Sequence, residues 1–268
     1  MQEALEEWFK EDVGKGDFTT LAVVPNSICK AQVTGESGII SGLEVCKLLL
    51  DKHNINFNFN YVDGDLIDSP LIMSLEGKAH DILAIERLLL NIISHLSGIS
   101  THTYEIVKRA KKINPDIEIL ATRKTVPGLR FLEKKAVVHG GGLTHRMRLD
   151  DALLVKDNHL KLSQGIEKAI KACRAKYPDL LLEVEADNEI QAIEVAKCGA
   201  DRLMLDNFTP EEAKIVVSKI KKFSNIEIEI SGGITLTNIE EYAPYADFIS
   251  LSSLTMSSSP INFSLHVI

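Results

Sequence analysis

The chain has 268 residues, 45% of them hydrophobic and 25% charged, with a formal net charge of −8. That length suits one large domain or two modest ones, and the acidic balance argues against a general nucleic-acid binder. Cys29, Cys46, Cys173 and Cys198 lack CxxC spacing, which speaks against a disulfide frame or zinc site and fits reduced thiols in a cytoplasmic protein.

The first segment, MQEALEEWFKED, reads as an acidic amphipathic helix and not a signal peptide. AQVTGESGIISGLEV (31–45) and INFNFNYVDGDLI (55–67) alternate with period two, broken by Gly, Asp and Asn, and predict antiparallel strands. LIMSLEGKA (71–79) predicts another strand ending in a turn. DILAIERLLLNIISHLSGIST (81–101) predicts a long helix with Asp81 near its N-cap, bridging this sheet region to the second half of the chain. Gly98 in that helix is either a kink or a close-packing point. No apolar run reaches the length expected of a membrane span.

From about Ile117 to Leu254 the pattern changes. Six short apolar runs alternate with helical stretches, and each ends in a residue fit for chemistry. IEILATRK delivers Arg123 and Lys124, DALLVKDNH delivers Lys156, and LLLEVEAD delivers Glu185. DRLMLDNF delivers Asp206, IEIEISGG delivers Ser231, and ADFISLSS delivers Ser250. Continuous apolar runs are the mark of buried parallel strands, and strand-helix repetition predicts an α/β barrel. Side chains at the C-terminal ends of barrel strands converge on one mouth, so these residues should surround a single ligand. The tail, SPINFSLHVI, reads as a short strand able to pair with the N-terminal sheet. The resulting division is an N-terminal region, 1–103, joined by tail 256–268, and a catalytic barrel, 104–255.

The ligand should be anionic. Residues 123–161 carry nine Lys/Arg against four Asp/Glu, a basic island in an acidic chain. Taken singly, a Lys or Arg in such loops is a solvated surface charge. That reading weakens where Arg123 and Lys124 sit at a strand end and a second cluster, HGGGLTHRMRLDD (139–151), lies close behind. There Gly140, Gly141 and Gly142 allow close backbone approach, and Arg146 can grip a carboxylate bidentately. His145 beside it is the histidine best placed for a site, whereas His139 and His159 read as structural.

Paired acids at Glu185 and Asp206 suit Mg²⁺, ribose hydroxyls or a developing positive charge. Glu183, two residues before Glu185, points to the same side of its strand, and one of the two could instead partner a buried base. SGGIT (231–235) offers backbone N–H groups at an expected helix start, and Ser250 to Thr255 could add a second phosphate contact.

Taken in order, EDVGKGDFTT, ERLLLNIISHLSGIST, ATRKTVPGLRFLEKKAV, GGGLTHRMRLDDALLVKDNHL, EVEA, LMLDNF, SGGIT and ISLSSLT resemble the quinolinate phosphoribosyltransferase family over nearly the whole chain. The resemblance implies an α/β fold, an N-terminal α/β sandwich of mainly antiparallel strands plus an open α/β barrel of parallel strands. It implies transfer of phosphoribosyl from phosphoribosyl pyrophosphate to quinolinate with Mg²⁺, releasing pyrophosphate and CO₂. It also implies a homodimer, or higher even oligomer, with shared active sites. By the same resemblance Arg123, His145, Arg146 and Lys156 hold the quinolinate carboxylates. Lys124 sits at the substrate and pyrophosphate junction, and Arg87 is lent by the neighbouring subunit. Glu185 and Asp206 lie near ribose and metal. Ser231, Gly232 and Gly233, with Ser250 and Ser252, bind the 5′-phosphate. Lys124, Lys156, Glu185 and Asp206 are the expected catalytic set.

Three positions depart from the family pattern. Ser252 stands where a glycine is usual, Met256 where a histidine is, and Thr144 where an asparagine is. Those changes keep other readings in play: a non-catalytic anion-binding or molybdenum-transport-associated paralogue, or a nicotinate-using phosphoribosyltransferase. The intact KDNH run, 156–159, favours the quinolinate enzyme.

Overall fold

The computed structural model describes residues 1–268. In chain order its elements are α1 (Gln2–Val13), α2 (Phe18–Val23), β1 (Ile28–Gly35), α3 (Leu43–Lys52), β2 (Asn56–Phe59), β3 (Leu71–Lys78) and α4 (Ala79–Ile113). They continue with β4 (Glu118–Ala121), α5 (Arg130–His139), β5 (Leu143–Thr144), β6 (Leu153–Val155), α6 (Asp157–Ser163), α7 (Ile166–Lys176) and β7 (Leu182–Ala186). The remainder are α8 (Glu189–Cys198), β8 (Arg202–Asp206), α9 (Pro210–Ile220), β9 (Glu227–Ser231), α10 (Ile239–Tyr242), β10 (Phe248–Leu251), α11 (Ser253–Met256) and β11 (Phe263–Val267).

The chain divides into two compact units: Met1–Thr103 with Lys135–Gly141 and Ser258–Ile268, and Tyr104–Lys134 with Gly142–Ser257. The first holds a four-stranded sheet in the order β11-β1-β3-β2, its pairs antiparallel. The tail strand β11 lies along β1, with Val33 opposite Leu265, as the apolar tail suggested. Two helices in this unit depart from the sequence expectation. GLEV, which reads as the end of a strand, instead opens α3, whose Leu43, Val45, Cys46, Leu49 and Leu50 are buried on one face. FTTLAV forms the short α2, capped by Asp17, whose side chain accepts from the Thr20 N–H at 3.0 Å.

Helix α4 runs unbroken for 35 residues directly out of β3, so Asp81 lies in its first turn instead of capping it. Gly98 is a packing point and not a kink. A Cβ there would fall 2.3 Å from the Ser259 carbonyl oxygen. Contrary to the sequence expectation, α4 is long and apolar enough to cross a bilayer by length and composition, yet 56% of its most apolar stretch is buried inside the protein.

The second unit is a seven-stranded sheet in the order β5-β4-β10-β9-β8-β7-β6, with every pair parallel. All six apolar runs are strands here, and the two-residue β5, hidden inside the Gly-rich stretch, is the seventh. Helix starts follow local chemistry. Thr209, Pro210 and Glu212 build a capping box on α9, and Asn188 caps α8. The last strand, β10, inserts beside the first, β4, which brings distant parts of the sequence together. The sheet leaves β5 and β6 as edges that do not pair, so the barrel is open, and residues 145–152 run between them.

Strand register sets what faces inward. Glu183 lies opposite Arg202, Met204 opposite Glu229, and Asp206 opposite Ser231. Alternate residues share a face, so Glu183 and Glu185, Arg202 and Asp206, and Glu229 and Ser231 all project to the same side. The side chains of Glu183 and Glu229 are fully buried, so this interior carries ionisable groups where an ordinary α/β barrel is filled by branched apolar residues.

Candidate active site

At the C-terminal ends of the strands a cavity of about 400 Å³ opens, and all seven strands of the second unit contribute to it. Thr122, Arg123 and Lys124 follow β4, His145 and Arg146 follow β5, and Lys156 and Asp157 follow β6. Glu185 comes from β7, Asp206 from β8, Ser231 from β9 and Ser250 from β10. One wall is therefore basic, the next acidic, and the third carries hydroxyls. Lys156 joins the first two, its Nζ donating to Glu185 Oε2 at 2.7 Å.

The basic wall is held from behind. Lys134, only 1% exposed on α5, donates to the carbonyls of His145 at 2.6 Å and Arg146 at 2.8 Å. Burial, then the Arg130 and Arg123 charges, lowers its pKa to about 8. Arg130 donates to Thr125 Oγ1 and to the carbonyls of Met147 and Arg123. Asp151 accepts from the backbone N–H groups of Met147 and Arg148 at 2.8 and 2.9 Å. With the backbone fixed in this way, the Nε atoms of both Arg123 and Arg146 are buried without a partner. Orphaned charged donors on a cavity wall are costly unless an anion completes them.

On the acidic wall, burial and then the Glu185 charge raise the pKa of Asp206, with Lys156 opposing. Carboxylates of Glu185, Asp187 and Asp206 lie within 4.8 Å of one another. Such a set of hard oxygen donors fits Mg²⁺, and a divalent ion would relieve the repulsion that Asp206 feels. Asp187, exposed at the rim, carries no signal of its own in the sequence.

His145 reaches the cavity but brings it no free nitrogen. Its Nδ1 accepts from the Arg146 backbone N–H at 2.8 Å, and its Nε2 lies 2.7 Å from Glu183 Oε2. In this structure the imidazole expected to meet a ligand carboxylate is engaged by the protein through both ring nitrogens. Burial lowers its pKa. The two histidines read as structural each have a protein partner: His139 Nδ1 pairs with Ser41 Oγ, and His159 Nδ1 accepts from the Lys156 N–H.

The remaining expected residues fall elsewhere. SGGIT does not open a helix, because α10 starts only at Ile239 and is four residues long. A side-chain turn intervenes, with Asn238 Oδ1 accepting from the Thr235 N–H at 2.7 Å. Gly232, at φ 93°, is required by the loop, since a Cβ would meet Asn207 Oδ1 at 2.3 Å. Gly232, Gly233 and Ser252 flank the cavity in sequence without lining it, and Met256 is 57% exposed. Arg87, exposed on α4 in the first unit, is not among the lining residues.

Beneath the basic and acidic walls lies a buried carboxyl pair. Burial raises Glu183 to about 7, with Arg202 opposing, while burial and then the Glu183 charge raise Glu229 to about 8. The folded chain thus keeps protons that the unfolded chain releases between about pH 4.5 and 8. The stability contributed by this pair is complete below pH 4.5 and is lost as pH rises through 7 to 8. His145, with its lowered value, acts in the opposite sense, so the pair is isolated by comparison with a Glu183→Gln, Glu229→Gln double variant. The melting temperature of the wild type relative to that variant should be higher at pH 5.5 than at pH 8.5 by roughly 2–4 °C for each kcal/mol involved. A gap independent of pH would mean that the pair stays ionised.

Residues 99–266 match the family described as quinolinate phosphoribosyl transferase, C-terminal domain, and residues 17–97 match its N-terminal domain. A probable nicotinate-nucleotide pyrophosphorylase (carboxylating) of Methanothermobacter thermautotrophicus is 37% identical over 275 residues, covering 100% of this chain and 99% of its own. The human nicotinate-nucleotide pyrophosphorylase (carboxylating) is 32% identical over 265 residues, covering 97% and 89%. Among solved structures, the nicotinate-nucleotide pyrophosphorylase of Francisella tularensis superposes with a TM-score of 0.94 at 32% identity, covering 100% of this chain and 95% of that one.

Proposed function

The chain belongs to the quinolinate phosphoribosyltransferase family, and on that premise we propose how its cavity performs the reaction. It is a phosphoribosyltransferase of nicotinate nucleotide biosynthesis, transferring phosphoribosyl from phosphoribosyl pyrophosphate to quinolinate. The products are nicotinate mononucleotide, pyrophosphate and CO₂. The observation that carries the reading is the pair of buried, unpartnered guanidinium Nε groups facing a wall of carboxylates. The first suits an aromatic dianion and the second a sugar that becomes cationic.

Arg123, Arg146 and Lys156 hold the two acceptor carboxylates, and the Lys134 clamp keeps the arginines in register. Positioning two mutually repelling anions is the large contribution here. Lys124 screens the charge between acceptor and pyrophosphate. Ser231 and Ser250, which line the cavity, receive the 5′-phosphate, with Gly232, Gly233 and Ser252 beside them in the chain. As pyrophosphate leaves, positive charge grows on the ribose, and Glu185 and Asp206 stabilise it. Glu185, Asp187 and Asp206 would hold Mg²⁺, which when bound would supply positive charge to offset that of the leaving group. The pyridine nitrogen attacks the sugar carbon and becomes a pyridinium. That ring accepts the electron pair left by CO₂, and a proton then fills the vacated carbon. The decisive assay is incubation with donor, Mg²⁺ and either quinolinate or nicotinate. Nicotinate mononucleotide and CO₂ from quinolinate alone support this reading; product from nicotinate would overturn it. The reaction belongs in the cytoplasm, and no nucleic acid or membrane takes part in it.

We further propose a homodimer in which Arg87 completes the partner's cavity. Mixing Arg87→Ala with Lys156→Ala then tests the exchange. A mixed dimer holds one site with both lesions and one with neither. Statistical exchange makes about half the dimers mixed, so activity should return to roughly a quarter of wild type. Persistent inactivity after proven exchange would assign Arg87 to its own subunit.

A further inference from the structure

We propose that Glu183 and Glu229 are positioning residues, which lock the His145 ring beneath the cavity and through it fix the backbone of Arg146, the arginine that grips the acceptor. The inference rests on the cavity being the quinolinate site.

Hydrogen-bond directionality carries the first step. The Arg146 backbone N–H can only donate, and it lies 2.8 Å from His145 Nδ1, so Nδ1 has no proton. The single ring proton is then on Nε2, where it is donated to Glu183 Oε2 at 2.7 Å. Each ring nitrogen is thus committed, one to the strand below and one to the next residue in the chain.

The second step is how firmly Glu183 is held. It is completely buried on β7, beside the equally buried Glu229 on β9. Arg202 on β8 approaches Glu229 Oε2 at 3.5 Å, pairs with Glu227 at 2.8 Å, and stacks on the Phe248 ring of β10 at 3.7 Å. Four neighbouring strands therefore support one imidazole. A divalent ion among His145, Glu183 and Glu229 is disfavoured, because Arg202 already supplies the positive charge there.

The third step is what the imidazole controls. Lys134 takes the carbonyls of His145 and Arg146, and the His145 N–H donates to the Ala121 carbonyl at 3.1 Å. The Arg146 N–H is held by His145 Nδ1. Losing that bond leaves the peptide that aims the guanidinium held from one side only, through its carbonyl by Lys134. Buried charged networks contribute little net stability, so the position of this one directly below the clamp argues for orientation.

The test is a split between Michaelis constants. Glu183→Met removes the acceptor for Nε2–H at similar volume, and quinolinate KM should rise about tenfold or more. The KM for phosphoribosyl pyrophosphate should stay within about twofold, and Glu183→Gln, which keeps an acceptor, should restore quinolinate KM to within about threefold of wild type. Glu229→Met acts in series, so it should add little to Glu183→Met. An unchanged quinolinate KM, or equal rises in both constants, would refute the proposal. Should Glu183→Met not fold, the wild-type protein still decides. Its ¹⁵N histidine spectrum should show His145 as the neutral Nε2–H form with and without quinolinate. Conversion to imidazolium on adding quinolinate would make His145 a direct ligand and refute the positioning role. Absence of turnover by the wild type would defeat the assigned reaction and leave the spectrum as the reading of His145.

Discussion

Replacing Arg146 with alanine should weaken quinolinate binding by about 2–5 kcal/mol, the range for removing one partner of a desolvated charge pair. Measured by calorimetry, that is on the order of 30- to 5000-fold in Kd. Only Nη1 of this guanidinium is used by the protein, donating to the Ala152 carbonyl at 3.1 Å, while Nε is buried and unpaired. Burial, then the Arg123 charge, depresses its pKa, so the free protein carries a strained concentration of positive charge that an acceptor dianion relieves. Donor binding should change by less than about threefold, since the proposed place of the donor is against the acidic wall. Arg146→Lys should recover only part of the loss, because an ammonium lacks the planar fork. Unaltered quinolinate affinity in Arg146→Ala would remove this residue from the acceptor pocket.

Asp206→Asn and Glu185→Gln should act on the other side of the reaction, lowering kcat on the order of 10²–10³-fold. Quinolinate KM should stay within about threefold. In the proposed mechanism these carboxylates face charge that exists only as the sugar carbon loses pyrophosphate, and interactions made only then appear in kcat. Glu185 is nearly buried and bound to Lys156, so its loss also leaves an ammonium without its partner. Asp187→Asn, at the exposed rim of the same carboxylate group, should raise the Mg²⁺ concentration needed for half-maximal rate with a smaller effect on kcat. A pure rise in quinolinate KM for Asp206→Asn would place that residue with the acceptor.

Much of this arrangement is legible in the chain because burial on both faces of a parallel sheet leaves no ambiguity. Runs such as RLMLD can only be central strands, and their ends must converge. The misreadings have physical causes. Glu183 and Glu229 sit in LEVEA and IEIEIS, where alternation normally signals one wet face. Here Ile228, Ile230 and Glu229 are all buried, because the open barrel keeps polar side chains in its interior. Lys134 looks like one more solvated charge in LEKKAV, and only the turn that returns His145 to α5 turns it inward. Helix α3 is hidden in the sequence because its N-cap is Gly42 in a left-handed conformation, at φ 107°, and no Ser, Thr or Asp announces it. Strand β5 is two residues long, below any periodicity. SGGIT has the glycines and hydroxyls of a helix start, yet Asn238 folds the loop back on Thr235 and delays the helix to Ile239.

The pairing of β11 with β1 has a consequence for how the molecule is made. The partner for one edge of β1 lies more than two hundred residues further along the chain. At translation speeds of about 5–20 residues per second, that edge waits roughly ten seconds or longer on the ribosome with its N–H and C=O groups unmatched. An unmatched strand edge recruits other strands, including those of neighbouring nascent chains. The first unit thus completes its sheet only after the barrel has been synthesised, although most of that unit precedes the barrel in the chain.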